Sequence, residues 1–154
     1  KCFQMSVLIG NRLCTHAGVS DEFMKSVGFW KMDNADESMI SNYLNDLFHY
    51  KPNEFTFSGG CDRNNTGVSP NEYGDDDWQS PIWIRPKSLQ RVNKNTDLKK
   101  NYIQIVGHTQ QEHIDIKGKT TGGKYYYIDT LPTGEYLIDE DGEFEVGYVT
   151  RELV

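Results

Sequence analysis

Met5-Ser6-Val7-Leu8-Ile9-Gly10-Asn11-Arg12-Leu13-Cys14-Thr15-His16-Ala17-Gly18 sets the architecture of this chain. An apolar run meets a Gly-Asn pair and turns into a second run, the pattern of a β-hairpin with a tight glycine-containing turn. His16 then stands just beyond the end of the second strand, followed by residues small enough to let a ligand approach. The arrangement recurs in the last third of the chain, where Tyr102-Ile103-Gln104-Ile105-Val106 leads into Gly107-His108-Thr109. A histidine at the mouth of a strand is how a fold offers imidazole to a metal.

Outward from the hairpin, Ser20-Asp21-Glu22-Phe23 carries helix-start chemistry, a serine cap with acids in the first turn. Asp36 to Tyr50 places Met39, Ile40, Tyr43, Leu44, Leu47 and Phe48 at helical spacing. From Lys51 to about Gln79 the pattern dissolves into turn formers, with Gly59-Gly60, Asn64-Asn65 and the acidic Asp75-Asp76-Asp77. A segment of this length reads as a long ordered loop or an insertion, and as the rim of a site. Strand patterns then follow over 102–106, 124–129, 135–138 and 143–149, the last two separated by the hairpin signal Asp141-Gly142. The sequence thus predicts an α+β domain with mostly antiparallel strands in its C-terminal half. Its zones are a hairpin plus helices over 1–50, a loop over 51–79 and a β-rich part over 80–154.

Composition narrows the function. With 154 residues, 36% of them hydrophobic, the chain can build one core and not two. A net charge of -7 argues against nucleic acid or an anionic membrane surface as partner. Cys2, Cys14 and Cys61 are odd in number and widely spaced, which disfavours a disulfide framework and a cysteine zinc site. Free thiols in the cytoplasm are the expectation. No stretch approaches the roughly 20 apolar residues of a membrane span.

Leu13-Cys14-Thr15-His16-Ala17-Gly18-Val19-Ser20 resembles the H-[AG]-G segment of the calcineurin-like metallophosphoesterases, which include PPP-type protein phosphatases and symmetrical dinucleoside tetraphosphatases. Ile105-Val106-Gly107-His108-Thr109 is similar to that family's V-x-G-H-T segment. Ser80-Pro81-Ile82-Trp83-Ile84-Arg85-Pro86 resembles its P-x-W-x-R segment, and Tyr127-Ile128-Asp129-Thr130 with Leu137-Ile138 resembles its I-D-T-G strand pair. The resemblance implies the C-terminal portion of a layered α/β/β/α sandwich that hydrolyses phosphoesters with two divalent metal ions, such as Mn, Fe or Zn. By it, His16 and His108 are metal ligands and Arg85 binds the substrate phosphate, a task for which a planar guanidinium fork is suited. The substrate would be a phosphoprotein, a dinucleoside polyphosphate or a small phosphoester.

Departures accompany the match. The family's D-x-H, G-D-x-x-D-R-G and G-N-H-[ED] segments are absent, Gln110 stands where a proline is usual, and Leu131 follows Asp129-Thr130 in place of glycine. No catalytic residue is therefore assigned, and the chain on its own is expected to be inactive. It is expected to leave apolar surface and a strand edge uncovered, and so to self-associate or to pair with a missing N-terminal half. The alternative is a non-catalytic binding module. Remaining candidates have ordinary roles: His113 faces solvent, His49 complements a helix C-terminus, Asp129 bonds neighbouring amides, Asp75 to Asp77 form a solvated loop, and Trp30, Trp78 and Trp83 pack.

Overall fold

In the computed structural model, residues 3–33, 35–57, 76–94, 96, 98, 101–116 and 124–149 are described. The hairpin forms as its sequence dictates: Ser6–Ile9 is β1 and Arg12–Thr15 is β2, paired antiparallel from Ser6 with Thr15 to Ile9 with Arg12. Gly10 closes the turn at φ 57, a conformation glycine adopts without the penalty of a Cβ. On its other side β2 pairs parallel with β3 (Ile103–Val106), which pairs parallel with β4 (Tyr125–Tyr127). The four-stranded sheet is ordered β1-β2-β3-β4.

The α+β class is observed, but the expected run of antiparallel strands in the C-terminal half is corrected at β3 and β4. Every residue of β3 is half-buried or buried, as suits a strand flanked on both sides and covered on both faces. Its links to β2 and β4 are long enough for the crossovers that parallel pairing requires. Antiparallel pairing in this half is that of β5 (Glu135–Glu140) with β6 (Glu143–Tyr148), a separate two-stranded sheet. Its turn residues Asp141 and Gly142 both take positive φ, 51 and 97, the hairpin geometry that matches strand twist. Arg12 ties this sheet to the larger one, donating from Nε and Nη2 to Asp139 at 2.8 and 3.2 Å. Tyr126 packs on Phe144 with ring centroids 4.3 Å apart.

The first helix, α1 (Asp21–Ser26), starts where Ser20 Oγ accepts the Phe23 amide at 3.0 Å. The second, α2 (Ile40–Tyr50), is preceded by a 3-10 turn at Glu37–Met39, so the helical pattern read from Asp36 begins as the tighter form. Ile40, Leu44 and Leu47 form its buried stripe, at the i, i+4, i+7 spacing of a core-facing helix. They join Met5, Leu13, Val19, Phe23, Met24, Phe29 and Phe55 in the main core. Asn45 on the same helix accepts the amides of Met5 and Ser6 at 2.7 and 3.1 Å, fixing the start of β1.

Within the expected loop, Pro52–Phe55 is a 3-10 turn that buries Phe55; Gly59-Gly60, Cys61, Asn64-Asn65 and Asp75 lie outside the described residues. Asp76 is buried and Asp77 pairs with Arg91, so these two are not the solvated run the composition implied. Burial pushes the Asp76 carboxyl up, opposed in part by the Trp78 amide. The third helix, α3 (Pro86–Val92), begins at a proline, which holds Arg85 extended at φ -96 and ψ 155. A second, smaller core of Ala17, Ile84, Leu89 and Tyr125 packs beneath this junction. No helix among the described residues is long and apolar enough to cross a membrane.

Candidate functional site

The parallel pairing of β2 with β3 builds the site. Thr15 and Val106 are register partners, so both chains leave the sheet at the same end, where open α/β sheets bind ligands. Gly107 donates its amide to the His16 carbonyl at 2.9 Å, extending the ladder by one step. The two imidazoles then meet, His16 Nε2 and His108 Nδ1 lying 3.0 Å apart with the rings edge to face at 4.8 Å. A hydrogen bond between two imidazole nitrogens needs one donor and one acceptor, so at least one ring must keep an unprotonated nitrogen.

His108 is held in a strained backbone. Its φ is 64, and Thr109 donates its amide to the Gly107 carbonyl at 2.7 Å across it, a γ-turn of the rare positive-φ kind. Such a conformation costs on the order of 1–3 kcal/mol and persists only where its surroundings over-determine it. Trp83 supplies part of that constraint, its ring perpendicular to the imidazole with centroids 6.0 Å apart. Burial, then the charges of Arg85 and His16, lower the His108 proton affinity, with Asp129 and the Trp83 backbone opposing. His108 Nε2 is buried and makes no hydrogen bond of normal geometry.

Arg85 reaches the same corner from the start of α3, its Nη1 donating to Thr109 Oγ1 at 3.1 Å. The structure thus brings together all three residues singled out in the sequence, His16, His108 and Arg85. Asp129 lies close enough to influence His108 electrostatically, and its carbonyl accepts the Gln111 amide at 2.8 Å. His49 lies in the last turn of α2. His113 is exposed, yet it is bonded through Nδ1 to Glu135 at 2.7 Å.

Sequence reasoning missed the residues that hold the His16 loop. Gln104, from the middle of β3, accepts the Val19 amide at 2.7 Å and donates to the Val19 carbonyl at 2.9 Å. Asn93 donates to that carbonyl at 2.8 Å and accepts the Asp21 amide at 2.9 Å. A polar residue inside an otherwise apolar strand was the available signal for Gln104. Gly18 has φ 109, and a Cβ there would stand 2.4 Å from Leu89 Cδ2, so the small residue after His16 is demanded by the fold as well as by ligand access. Ala17 is anchored through its amide to the Pro81 carbonyl at 2.7 Å.

A cleft of about 470 Å³ opens on the other flank of His16, lined by Phe3, Met5, Val7, Cys14 and Ile82 among others. Burial first, and Asp139 second, push the Cys14 thiol up, which removes it as a thiolate nucleophile at neutral pH.

The expected pair of divalent metal ions is not upheld. A catalytic ion takes about three protein ligands, and among the described residues no group of three or more His, Cys, Asp or Glu side chains converges. Two imidazoles bonded to each other are an incomplete donor set.

No known family's sequence profile matches the chain. No curated protein matches it either. Solved structures do: a point mutant of a cold-active protein tyrosine phosphatase is 20% identical with a TM-score of 0.55, over 94% of this chain and 40% of that one. The cold-active protein tyrosine phosphatase of a psychrophile, Shewanella sp., is 18% identical with a TM-score of 0.51, over 94% and 40%. The chain therefore spans about 40% of the length of the structures it matches. Their names overturn the resemblance to calcineurin-like metallophosphoesterases, which rested on segments of two to eight residues and lacked that family's carboxylate motifs. What the likeness shows is a shared α+β fold with proteins named as tyrosine phosphatases.

Proposed function

We propose that the end of the β2–β3 pair is a phosphoester-binding and phosphoester-hydrolysing site. The observation that carries this is the convergence of Arg85, His16 and His108 on one strand end, with the imidazoles 3.0 Å apart. Arg85 presents a donor fork to two phosphate oxygens. His108, kept neutral by burial and by Arg85, accepts a hydrogen bond from His16 Nε2 on its Nδ1, which leaves His16 Nδ1 to take the proton of a water attacking phosphorus. His16 then gives that proton to the departing oxygen, whose bond to phosphorus breaks as the new one forms. The fold shared with proteins named as phosphatases supports the reading. Action on a phosphorylated protein, pairing with further polypeptide and a cytoplasmic setting belong to the same proposal.

The test is isothermal titration of inorganic phosphate into the chain, alongside turnover of p-nitrophenyl phosphate. Arg85→Ala should weaken phosphate binding about tenfold, the worth of one charge-assisted fork. Unchanged affinity in that variant would remove the site. Binding without turnover would favour a binding module.

A further inference from the structure

The cleft beside His16 shares a wall with the candidate phosphate site, because His16 lines both. Its other lining residues are Phe3, Gln4, Met5, Ser6, Val7, Cys14, Thr15 and Ile82. None carries a formal charge, in a chain whose net charge is -7. Its volume of about 470 Å³ falls within the usual range of small-ligand sites. Phe3 stands 77% exposed and Val7 41% exposed, and apolar surface in a concave place gains most from being covered.

We propose that this cleft is the leaving-group subsite and selects phosphomonoesters whose ester group is uncharged and apolar, a phenyl ring being the simplest. The inference rests on the phosphate site proposed above. A polyphosphate or acidic peptide placed here would bury charge against Phe3, Met5, Val7 and Ile82 with nothing to pair it, a costly arrangement. An apolar ring would displace water from the same side chains while its phosphate met Arg85. Discrimination then comes from the group that leaves, and phosphate recognition is common to all substrates.

Two non-hydrolysable probes separate these contributions. Phenylphosphonate and methylphosphonate present the same anion, and the phenyl compound should bind about tenfold tighter for the apolar area it buries. Val7→Asp, on an edge strand where the side chain is partly exposed, should bring the two affinities together. Taking the two probe affinities as a ratio removes the effect of the added charge on the anion they share. Amide shifts at Val7, Cys14 and Thr15 on phenylphosphonate binding would place the ring. Equal affinity of the two probes in the native chain overturns the cleft assignment and leaves the phosphate site standing. Failure of inorganic phosphate to bind removes that site and the cleft proposal with it. A cleft covered by a second copy would show as equal probe affinities with a native chain sedimenting faster than Val7→Asp, which also overturns the assignment.

Discussion

Glu135 and His113 meet at 2.7 Å, the carboxylate side chain 4% exposed and the imidazole 73% exposed. The second carboxylate oxygen accepts the Ile114 amide at 2.8 Å, and the Glu135 carbonyl accepts the Thr130 hydroxyl at 2.8 Å. One residue at the start of β5 thus fastens the segment that follows the site histidine to the two-stranded sheet.

The bond from His113, and then the Ile114 amide, hold the Glu135 carboxyl below the usual carboxylate range. A carboxyl with a lowered folded-state value contributes stability that is present above its unfolded value, about 4.3, and lost as pH falls through the lowered one. Urea midpoints of the native chain should therefore fall more steeply than those of Glu135→Gln on acidification from about pH 6 to pH 3. Parallel curves would contradict the assignment. At neutral pH, Glu135→Ala should cost about 1–3 kcal/mol, since it leaves the buried Ile114 amide unpaired.

His108 has the opposite chemistry and the same pH direction. Its folded-state proton affinity is lowered, so its contribution is complete above the unfolded imidazole value of about 6.5 and is lost as pH falls below it. His108→Gln should flatten the thermal stability profile between about pH 5 and 7. Protonating the native imidazole adds positive charge, so phosphate affinity should rise over the same acid range. Imidazole nitrogen shifts from NMR would show the titration directly, and a midpoint at or above the free-imidazole value would count against the site.

Gly18→Ala combines a positive φ with a contact to the buried Leu89. A loss of about 1–3 kcal/mol is expected from the backbone conformation alone. Because Gly18 follows His16 by two residues, phosphate binding should weaken as well. A variant with native stability by urea unfolding and native phosphate affinity would show that the loop yields more readily than the geometry allows.

Arg12 and Asp139 are partly exposed, at 20% and 27% of their side-chain surface, so solvent screens their attraction. A double-mutant cycle with Arg12→Ala and Asp139→Ala should give a coupling of about 1 kcal/mol, near the upper end for surface pairs because the contact is bidentate. Zero coupling would mean that the Arg12–Asp139 pair does not help to join the two sheets.

What could be read from the sequence was what neighbouring residues decide. The Gly10-Asn11 turn, the Ser20 cap, the stripe on α2 and the extended Arg85 before Pro86 are local, and all are present. Strand direction was misread at β3 and β4 because it depends on where a chain returns after a long excursion, which alternation does not record. Gln104 and Asn93 escaped notice because a polar residue's burial is set by partners far along the chain. The phosphoesterase motifs located the two histidines and Arg85, which do converge. Their short length could not establish the family or the metals.

The imidazole pair joins positions 92 residues apart. Closing so long a connection carries an entropic cost before any contact repays it, and parallel pairing is among the slower events in folding. The hairpin, the cap and both halves of the helical core can organise around His16 while His108 is still elsewhere. The two histidines therefore come together only once β3 has docked on β2, and a chain that holds the hairpin and helices without that pairing lacks their convergence.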